Sequence, residues 1–134
     1  MLVLRDVEVT IEERASMLKA LFDSGSSFTI MGYDRLMELF GEVEVKPLIK
    51  PREAALLNGQ RIIIEGYVDA QIVINEYLIE DRIYLTKNMA NEVVLEGERR
   101  VLPDLIIGAP TLETWGLEIN LREGKIVPRG SFII

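Results

Sequence analysis

The sequence contains no histidine and no cysteine among its 134 residues. Catalysis by a Ser-His-Asp triad or a Cys-His pair needs an imidazole, and the usual protein zinc sites need histidine or cysteine ligands. The composition therefore excludes these classes of enzyme and metal site, and any acid–base chemistry must come from carboxylates, lysine or tyrosine. A chain without cysteine is also consistent with a reducing compartment.

Positive charge is scarce, since 22 Asp and Glu residues stand against 15 Lys and Arg, which gives a net charge of -7. This balance argues against a primary role on nucleic acid phosphates or anionic membranes. No apolar segment approaches the roughly 20 residues that span a bilayer, and Met1–Thr10 carries charges at Arg5, Asp6 and Glu8. We therefore expect a cytoplasmic protein whose partners include neither nucleic acid nor a membrane. P-loop, GxGxxG and EF-hand motifs are also absent, so no cofactor and no metal ion is expected.

Short alternating segments dominate the pattern of apolar residues. Val7, Val9 and Ile11 alternate with polar residues, which is typical of a half-buried strand. Many short strands, two short helices and no βαβ alternation predict a single all-β domain over residues 1–134, folded as a closed barrel. The predicted strands are Val7–Ile11, Met17–Phe22, Val43–Ile49, the two arms of the hairpin Arg52–Val68, Val68–Ile74, Tyr77–Leu85, Leu105–Gly108, Leu117–Leu121 and Lys125–Val127, and the predicted helices are Tyr33–Phe40 and Thr111–Trp115.

One tripeptide, Asp23-Ser24-Gly25, carries the most informative pattern in the chain. It lies in the stretch ALFDSGSSFTI, where an apolar run leads into a polar loop. Alone, the tripeptide is a common surface turn, because Asp and Ser bind their own backbone and Gly accepts positive φ. A second apolar run that ends in glycine, Leu105–Gly108, follows much later and precedes the second predicted helix.

This order of motifs resembles the retropepsin-like aspartic proteases, which include the single-domain retroviral enzymes and the protease domain of ubiquitin-shuttle proteins. The resemblance covers most of the chain, Val7–Val127. It implies that Asp23 is the catalytic aspartate, that the Ser24 hydroxyl cross-links the two loops of a dimer, and that Gly25 lets the substrate backbone approach closely. Ser26 would complete and support the same active-site loop.

The resemblance also implies a flap and a floor for a substrate cleft. The hairpin Arg52–Val68 would be the flap that closes over the substrate. Asn58-Gly59, a strong signal for a type I′ hairpin turn, would lie at or near its tip. The residues implied to contact substrate are Leu56, Leu57, Asn58, Gly59 and Gln60 in the flap, and Ile106, Ile107 and Gly108 in the floor strand.

The chain departs from the viral enzymes at one pair of positions. In those enzymes an acidic residue shortly after the catalytic aspartate pairs with an arginine directly after the aliphatic-glycine motif. Here the two positions hold Ser27 and Ala109. Both partners are absent together, so no unpaired charge remains and the same fold is still expected, but without the substrate and dimer contacts of that ion pair.

A single Asp-Ser-Gly motif implies a homodimer. Aspartic proteases are known to use two carboxylates about 3 Å apart that share one proton, one acting as base on a water while the other donates to the scissile carbonyl. This chain supplies one such carboxylate, so the second would come from an identical subunit across a two-fold axis. The apolar tail Arg129–Ile134 would either exchange as a strand between the subunits or form an edge strand within one of them.

These features predict an aspartic endopeptidase that hydrolyses extended polypeptide through Asp23 of each subunit and an activated water. The alternative is a non-catalytic peptide-binding or dimerisation module that keeps the fold without productive geometry. A carboxylate-dependent glycosidase is disfavoured, because no second Asp or Glu stands in a comparable motif.

Overall fold

The structure is a computed structural model, and it describes residues 2–55, 61–87, 89, 92–95, 98–101 and 103–128. Within these ranges the chain forms eleven strands and two helices, so the protein is mostly β as the sequence predicts. The strands are β1 (Leu2–Ile11), β2 (Arg14–Asp23), β3 (Ile30–Gly32), β4 (Lys46–Ala55), β5 (Arg61–Ile74), β6 (Tyr77–Thr86), β7 (Glu92–Leu95), β8 (Glu98–Val101), β9 (Leu105–Ile107), β10 (Leu117–Asn120) and β11 (Lys125–Pro128), and the helices are α1 (Tyr33–Phe40) and α2 (Ala109–Thr114).

Six of these strands close into a barrel. They follow the order β1-β2-β9-β3-β6-β5, and β1 pairs again with β5 to complete the circle. β4 pairs with β5 outside this circle. The side chains of β5 alternate as expected for a strand of a barrel. Its residues at even positions from Ile62 to Ile74 are buried, while those at odd positions are exposed or half-buried. The predicted closed barrel is therefore confirmed.

The strand β9 lies between β2 and β3. It runs parallel to β2, where Leu21 pairs with Ile106, and antiparallel to β3, where Ile30 pairs with the same residue. All three of its residues are buried, as expected for a short aliphatic strand with a neighbour on each side. Because β2 and β9 are parallel, their C-terminal ends lie side by side, where β2 continues into a loop and β9 leads through Gly108 into α2.

Buried side chains form two clusters on opposite faces of β9. Leu105 and Ile107 belong to the larger cluster, which fills the barrel, whereas Ile106 between them belongs to the smaller one. This division follows from the period of two along a strand. The smaller cluster, here called the apolar wall, consists of Ile30, Ile62, Ile64 and Ile106, with Phe28, Leu48, Ala54, Tyr84 and Met89 packed against it.

Both helices are short. The prediction of α1 over Tyr33–Phe40 is confirmed, and Gly41 after it has the positive φ of 71° that favours glycine at a helix end. α2 begins at Ala109 and ends at Thr114, slightly before the predicted range Thr111–Trp115, with its proline in the first turn. In the part of the chain that the structure describes, no helix has the length and apolar character of a membrane span.

The prediction for β4 is wrong at its boundaries. The sequence places a strand at Val43–Ile49, bracketed by Pro47 and Pro51, but β4 begins at Lys46 and runs through both prolines to Ala55. The reason is its position, because among the described strands β4 pairs only with β5, and an edge strand tolerates residues without a backbone N–H. The register also shifts between Pro47 and Arg52, which accommodates the irregular stretch.

Three strands are not predicted from the sequence. β3 has three residues, and β7 and β8 have four each, which is too short for a period of two to stand out. β7 and β8 form a separate two-stranded ladder inside the stretch Lys87–Pro103, for which the resemblance gives no role. Two further predictions, the flap residues Leu56, Leu57, Asn58, Gly59 and Gln60 and the tail Arg129–Ile134, lie outside the described residues.

Candidate active site

Asp23 is the last residue of β2 and is buried, with a relative exposure of 5%. Its Oδ1 accepts a hydrogen bond from the Gly25 N–H at 2.8 Å, and its carbonyl oxygen accepts one from the Ser26 N–H at 3.1 Å. These bonds form the tight turn that an Asp-Ser-Gly sequence favours. Ser24 and Gly25 are exposed at the tip of this turn. The four predicted residues of the active-site loop therefore lie together, with the carboxylate held inward.

Gly108 follows β9 directly beside this loop. A Cβ atom on Gly108 would lie 2.5 Å from the carbonyl oxygen of Phe28 and 2.8 Å from that of Ser26. Both distances are far below van der Waals contact and both neighbours are backbone atoms, so glycine is required at this position. The contact continues at the next residue, because the Ala109 N–H donates to the Ser26 carbonyl oxygen at 2.8 Å. The end of the floor strand and the active-site loop are thus joined through their backbones.

The three predicted floor residues have different surroundings. Ile106 belongs to the apolar wall and Gly108 touches the active-site loop, whereas Ile107 packs in the barrel interior. The structure therefore places Gly108 against the active-site loop and buries Ile106 and Ile107 on opposite faces of β9. This outcome follows from the alternation of side chains along β9.

A buried chain of hydrogen bonds anchors the junction between the loop and β9. The Gly108 N–H donates to Thr29 Oγ1 at 3.1 Å, and Thr29 Oγ1 lies 2.7 Å from Thr111 Oγ1. Thr111 in turn donates to a carboxylate oxygen of Asp81. Either hydroxyl can be the donor in the contact between Thr29 and Thr111, and both lie within hydrogen-bonding reach of Asp81. The Gly108 N–H, the two hydroxyls and the Asp81 carboxylate therefore form one hydrogen-bonded network.

Asp81 terminates this chain from the middle of β6. Burial raises the pKa of its carboxyl group, an effect that hydrogen bonds from Thr111, the Arg82 backbone and Thr29 oppose. Sequence reasoning missed Asp81, although one signal was present. It stands at the inward position between Ile79 and Ile83, where the alternation of β6 calls for an apolar residue.

The site carries no charge at the two positions where the viral enzymes have an ion pair. Ser27 is exposed and Ala109 is half-buried. Neutral hydrogen bonds hold this part of the loop, since the Ser26 hydroxyl donates to the Phe28 carbonyl oxygen at 2.8 Å. The fold therefore accommodates the loss of the pair, as expected from the absence of both partners together.

The apolar wall includes residues next to the active-site loop and residues from the turn end of the β4–β5 pair. Ile62 and Ile64 of β5 pack with Ile30 and Ile106, which lie beside the loop. The four isoleucines are buried, so the surface of the wall comes from its half-buried members, among them Phe28 and Tyr84. The chemistry available there is proton transfer by a carboxylate, and among the described residues no group of three or more potential metal ligands comes together.

Solved structures of two proteins share this architecture. The chain is similar to the retroviral protease-like domain of Ddi1 from Leishmania major, with a TM-score of 0.57 and 17% identity over 96% of this chain and 88% of that one. It is also similar to EIAV protease, solved in complex with the inhibitor HBY-793, with a TM-score of 0.59 and 13% identity over 90% of this chain and 94% of that one. No protein-family model and no curated protein matches the sequence. The protein therefore has a retropepsin-like fold, a closed six-stranded barrel with two short helices.

Proposed function

We propose that this protein is an aspartic endopeptidase in which Asp23 supplies the catalytic carboxylate. The observation that carries the proposal is the position of Asp23 at the end of β2. The Gly25 N–H closes the turn that follows Asp23, and Gly108 packs against the backbone of the same loop. The retropepsin-like fold supports the same reading. A carboxylate held in this way is oriented before substrate arrives, which is what proton transfer in catalysis requires.

The proposed enzyme is a homodimer. The mechanism known for aspartic proteases needs two carboxylates that share one proton, and this chain has one Asp-Ser-Gly motif. A two-fold axis beside Asp23 would bring its copy to the same water molecule. Ser24 is exposed at the tip of the turn, and in the proposed dimer its hydroxyl would bind the opposite loop. The two carboxyl groups would titrate as a coupled pair.

The proposed substrate is an extended polypeptide. The β4–β5 hairpin on one side and the active-site loop after β2 on the other would hold its main chain by hydrogen bonds, with alternate side chains on the half-buried members of the apolar wall. In this proposal the β4–β5 hairpin is the flap that the sequence analysis predicts. Its residues Leu56 to Gln60 would then contact the substrate, and that assignment stays a prediction.

The test is a comparison of the parent with Asp23→Asn on a denatured protein substrate, from about pH 3 to 7 to bracket the ordinary carboxyl pKa values. An amide matches the carboxyl group in shape but cannot act as a base, so cleavage should be lost while the fold is kept. The matched control is Asp34→Asn, which removes an exposed carboxylate at the start of α1. Cleavage by Asp23→Asn at the parental rate would rule out the proposed role.

One observation favours the alternative, a non-catalytic peptide-binding or dimerisation module. Ser27 and Ala109 remove the ion pair that supports substrate and dimer contacts in the viral enzymes. Under this alternative the parent and Asp23→Asn would both be inactive on diverse substrates and would bind peptides equally well. Cleavage by the parent alone decides for the enzyme.

A further inference from the structure

A cavity lies next to the active-site loop, and the chemistry proposed for Asp23 does not use it. It has a volume of about 280 Å³ and opens between the residues that follow the loop, the middle of β6 and the first turn of α2. Ser27 and Phe28 line one side, Arg82 and Tyr84 line the second, and Pro110 closes the third. Phe28 and Tyr84 also pack against the apolar wall. The cavity therefore continues the surface along which a peptide near Asp23 would run.

Arg82, the cationic residue of this cavity, is held in place by aromatic side chains. The Arg82 guanidinium carbon lies 3.8 Å from the centre of the Tyr67 ring, a cation–π contact. Arg82 also donates a hydrogen bond to the Tyr84 side chain, which is the main cause of its raised pKa. A guanidinium fixed in this way loses little side-chain entropy when a ligand binds.

Tyr84 is itself fixed to the segment that follows the active-site loop. Its ring meets that of Phe28 edge-on, with ring centres 5.2 Å apart. Its backbone N–H donates to the Thr29 carbonyl oxygen at 2.8 Å. The position of Arg82 is therefore tied to the site through two successive aromatic residues.

The positive charge of Arg82 has no carboxylate partner within the part of the chain that the structure describes. Asp69 stands opposite Arg82 in the β5–β6 ladder, but its carboxylate is bound by Lys46 at 2.6 Å. Asp81 is the acidic residue that lines the cavity, and its carboxylate accepts a hydrogen bond from the Thr111 hydroxyl. Burial raises the pKa of Asp81, so its negative charge weakens as the solution becomes acidic. Arg82 is thus the cationic residue that the lining of the cavity offers to a ligand.

We propose that this cavity is a substrate subsite that binds an acidic side chain, Asp or Glu, and that Arg82 is the residue which determines this specificity. The proposal rests on the proposed function, because it takes the ligand to be a peptide that lies along the apolar wall. Alternate side chains of an extended peptide share one face. The acidic residue would therefore share a face of the peptide with the apolar side chains that contact the half-buried members of the apolar wall, because Ile30 and Ile106 themselves are buried.

The test measures peptide binding without catalysis. Asp23→Asn is titrated with fluorescent peptides that have an apolar centre and a single Glu, Gln or Lys placed at each outer position in turn. At one outer position the Glu peptide should bind about fivefold more tightly than the Gln peptide, the size of a partly exposed ion pair with good geometry. The Lys peptide should bind more weakly than both.

Two further changes are made in the Asp23→Asn background. Arg82→Gln should abolish the preference for Glu while leaving the affinity for the Gln peptide unchanged, which also shows that the variant is folded. Arg82→Glu should reverse the preference in favour of Lys. The matched control is Arg122→Gln, which removes an exposed arginine in the turn between β10 and β11 and should keep the fivefold preference.

Equal affinity for the Glu and Gln peptides at every outer position, or a preference that survives Arg82→Gln, would overturn the subsite, as would the absence of binding to every peptide. These outcomes are separate from the fate of the proposed function. Cleavage by the parent without any effect of Arg82→Gln on the Glu preference would remove the subsite alone. An Arg82-dependent preference in binding, with no cleavage by the parent, would support the subsite and remove the protease.

Discussion

The hydroxyl oxygens of Thr29 and Thr111 lie 2.7 Å apart in the interior of the protein. Both residues are buried, with relative exposures of 3% and 4%. This contact joins the segment after the active-site loop to α2, and it lies between the backbone of Gly108 and the carboxylate of Asp81. The geometry of the candidate site thus depends on polar groups that lie behind it.

Replacing either threonine by valine should destabilise the protein. Thr29→Val leaves the Gly108 N–H without its acceptor, and Thr111→Val removes one of the donors to the half-buried Asp81 carboxylate, so each change should cost about 1 to 3 kcal/mol of unfolding free energy. The double variant should cost clearly less than the sum, because the two hydroxyls act in one network. Thr114→Val, at an exposed position of the same helix, is the control and should change stability by less than about 0.5 kcal/mol. Denaturant titration that finds additive effects would contradict the network.

Gly108 and Gly32 offer a matched pair for testing the close backbone contact. Gly108→Ala forces a Cβ to within 2.5 Å of the Phe28 carbonyl oxygen, so the loop must move and about 1 to 3 kcal/mol of stability should be lost. In Gly32→Ala the nearest atom would be the Met89 Cβ at 3.5 Å, an ordinary contact, so little change is expected. Thermal unfolding of both variants provides the comparison. Equal melting temperatures would contradict the prediction, because they would show that the loop moves to admit the Cβ without loss of stability.

Asp81→Asn should alter the pH dependence of stability. In the folded parent burial raises the pKa of Asp81 above its unfolded value, so the folded state binds more protons between these two pKa values. The contribution of this group to stability is therefore largest in acid and declines as the pH rises from the ordinary aspartate value through the raised one. The asparagine side chain keeps an oxygen that accepts from Thr111 but does not titrate. The variant should gain stability relative to the parent as the pH rises through this window.

The experiment measures the free energy of unfolding of both proteins at a series of acidic to neutral pH values. Arg82 is the charged neighbour whose field acts on Asp81 in the opposite sense to burial, and it is present in both proteins. Glu80→Gln, on the outward face of β6, is the control for a carboxylate lost at an exposed position. Parallel curves for the parent and Asp81→Asn would contradict the effect of burial.

The sequence predicts the parts of the fold that have a strong local signal. α1 carries apolar residues at a helical repeat between Asp34 and Gly41, and its bounds are confirmed. Alternation along Tyr77–Leu85 likewise identifies β6 to within one residue of its end. The order of Asp23-Ser24-Gly25 and Leu105–Gly108 was enough to identify the retropepsin-like fold, because these motifs pack against each other in space.

Features that depend on distant partners were not predictable in the same way. The prolines of β4 predict that the strand ends near them. The structure shows that β4 is an edge strand, which pairs with β5 among the described strands, and an edge strand accommodates proline. The role of Asp81 depends on Thr29 and Thr111, which come from other elements. Arg82 gains its fixed position from Tyr67 across the β5–β6 ladder, a contact that no local pattern reveals.

The central claim, that each active site takes one Asp23 from each of two subunits, is tested most directly by mixed dimers. The parent and Asp23→Asn are unfolded, mixed in equal amounts and refolded together. The cleavage rate of the mixture is compared with that of pure parent at the same total protein concentration. Random pairing makes half of the dimers mixed and inactive, so the rate should fall to about one quarter. Mixing with Asp34→Asn instead should leave the rate unchanged. A rate of about one half would contradict the account, since it would mean that each subunit cleaves with its own aspartate alone.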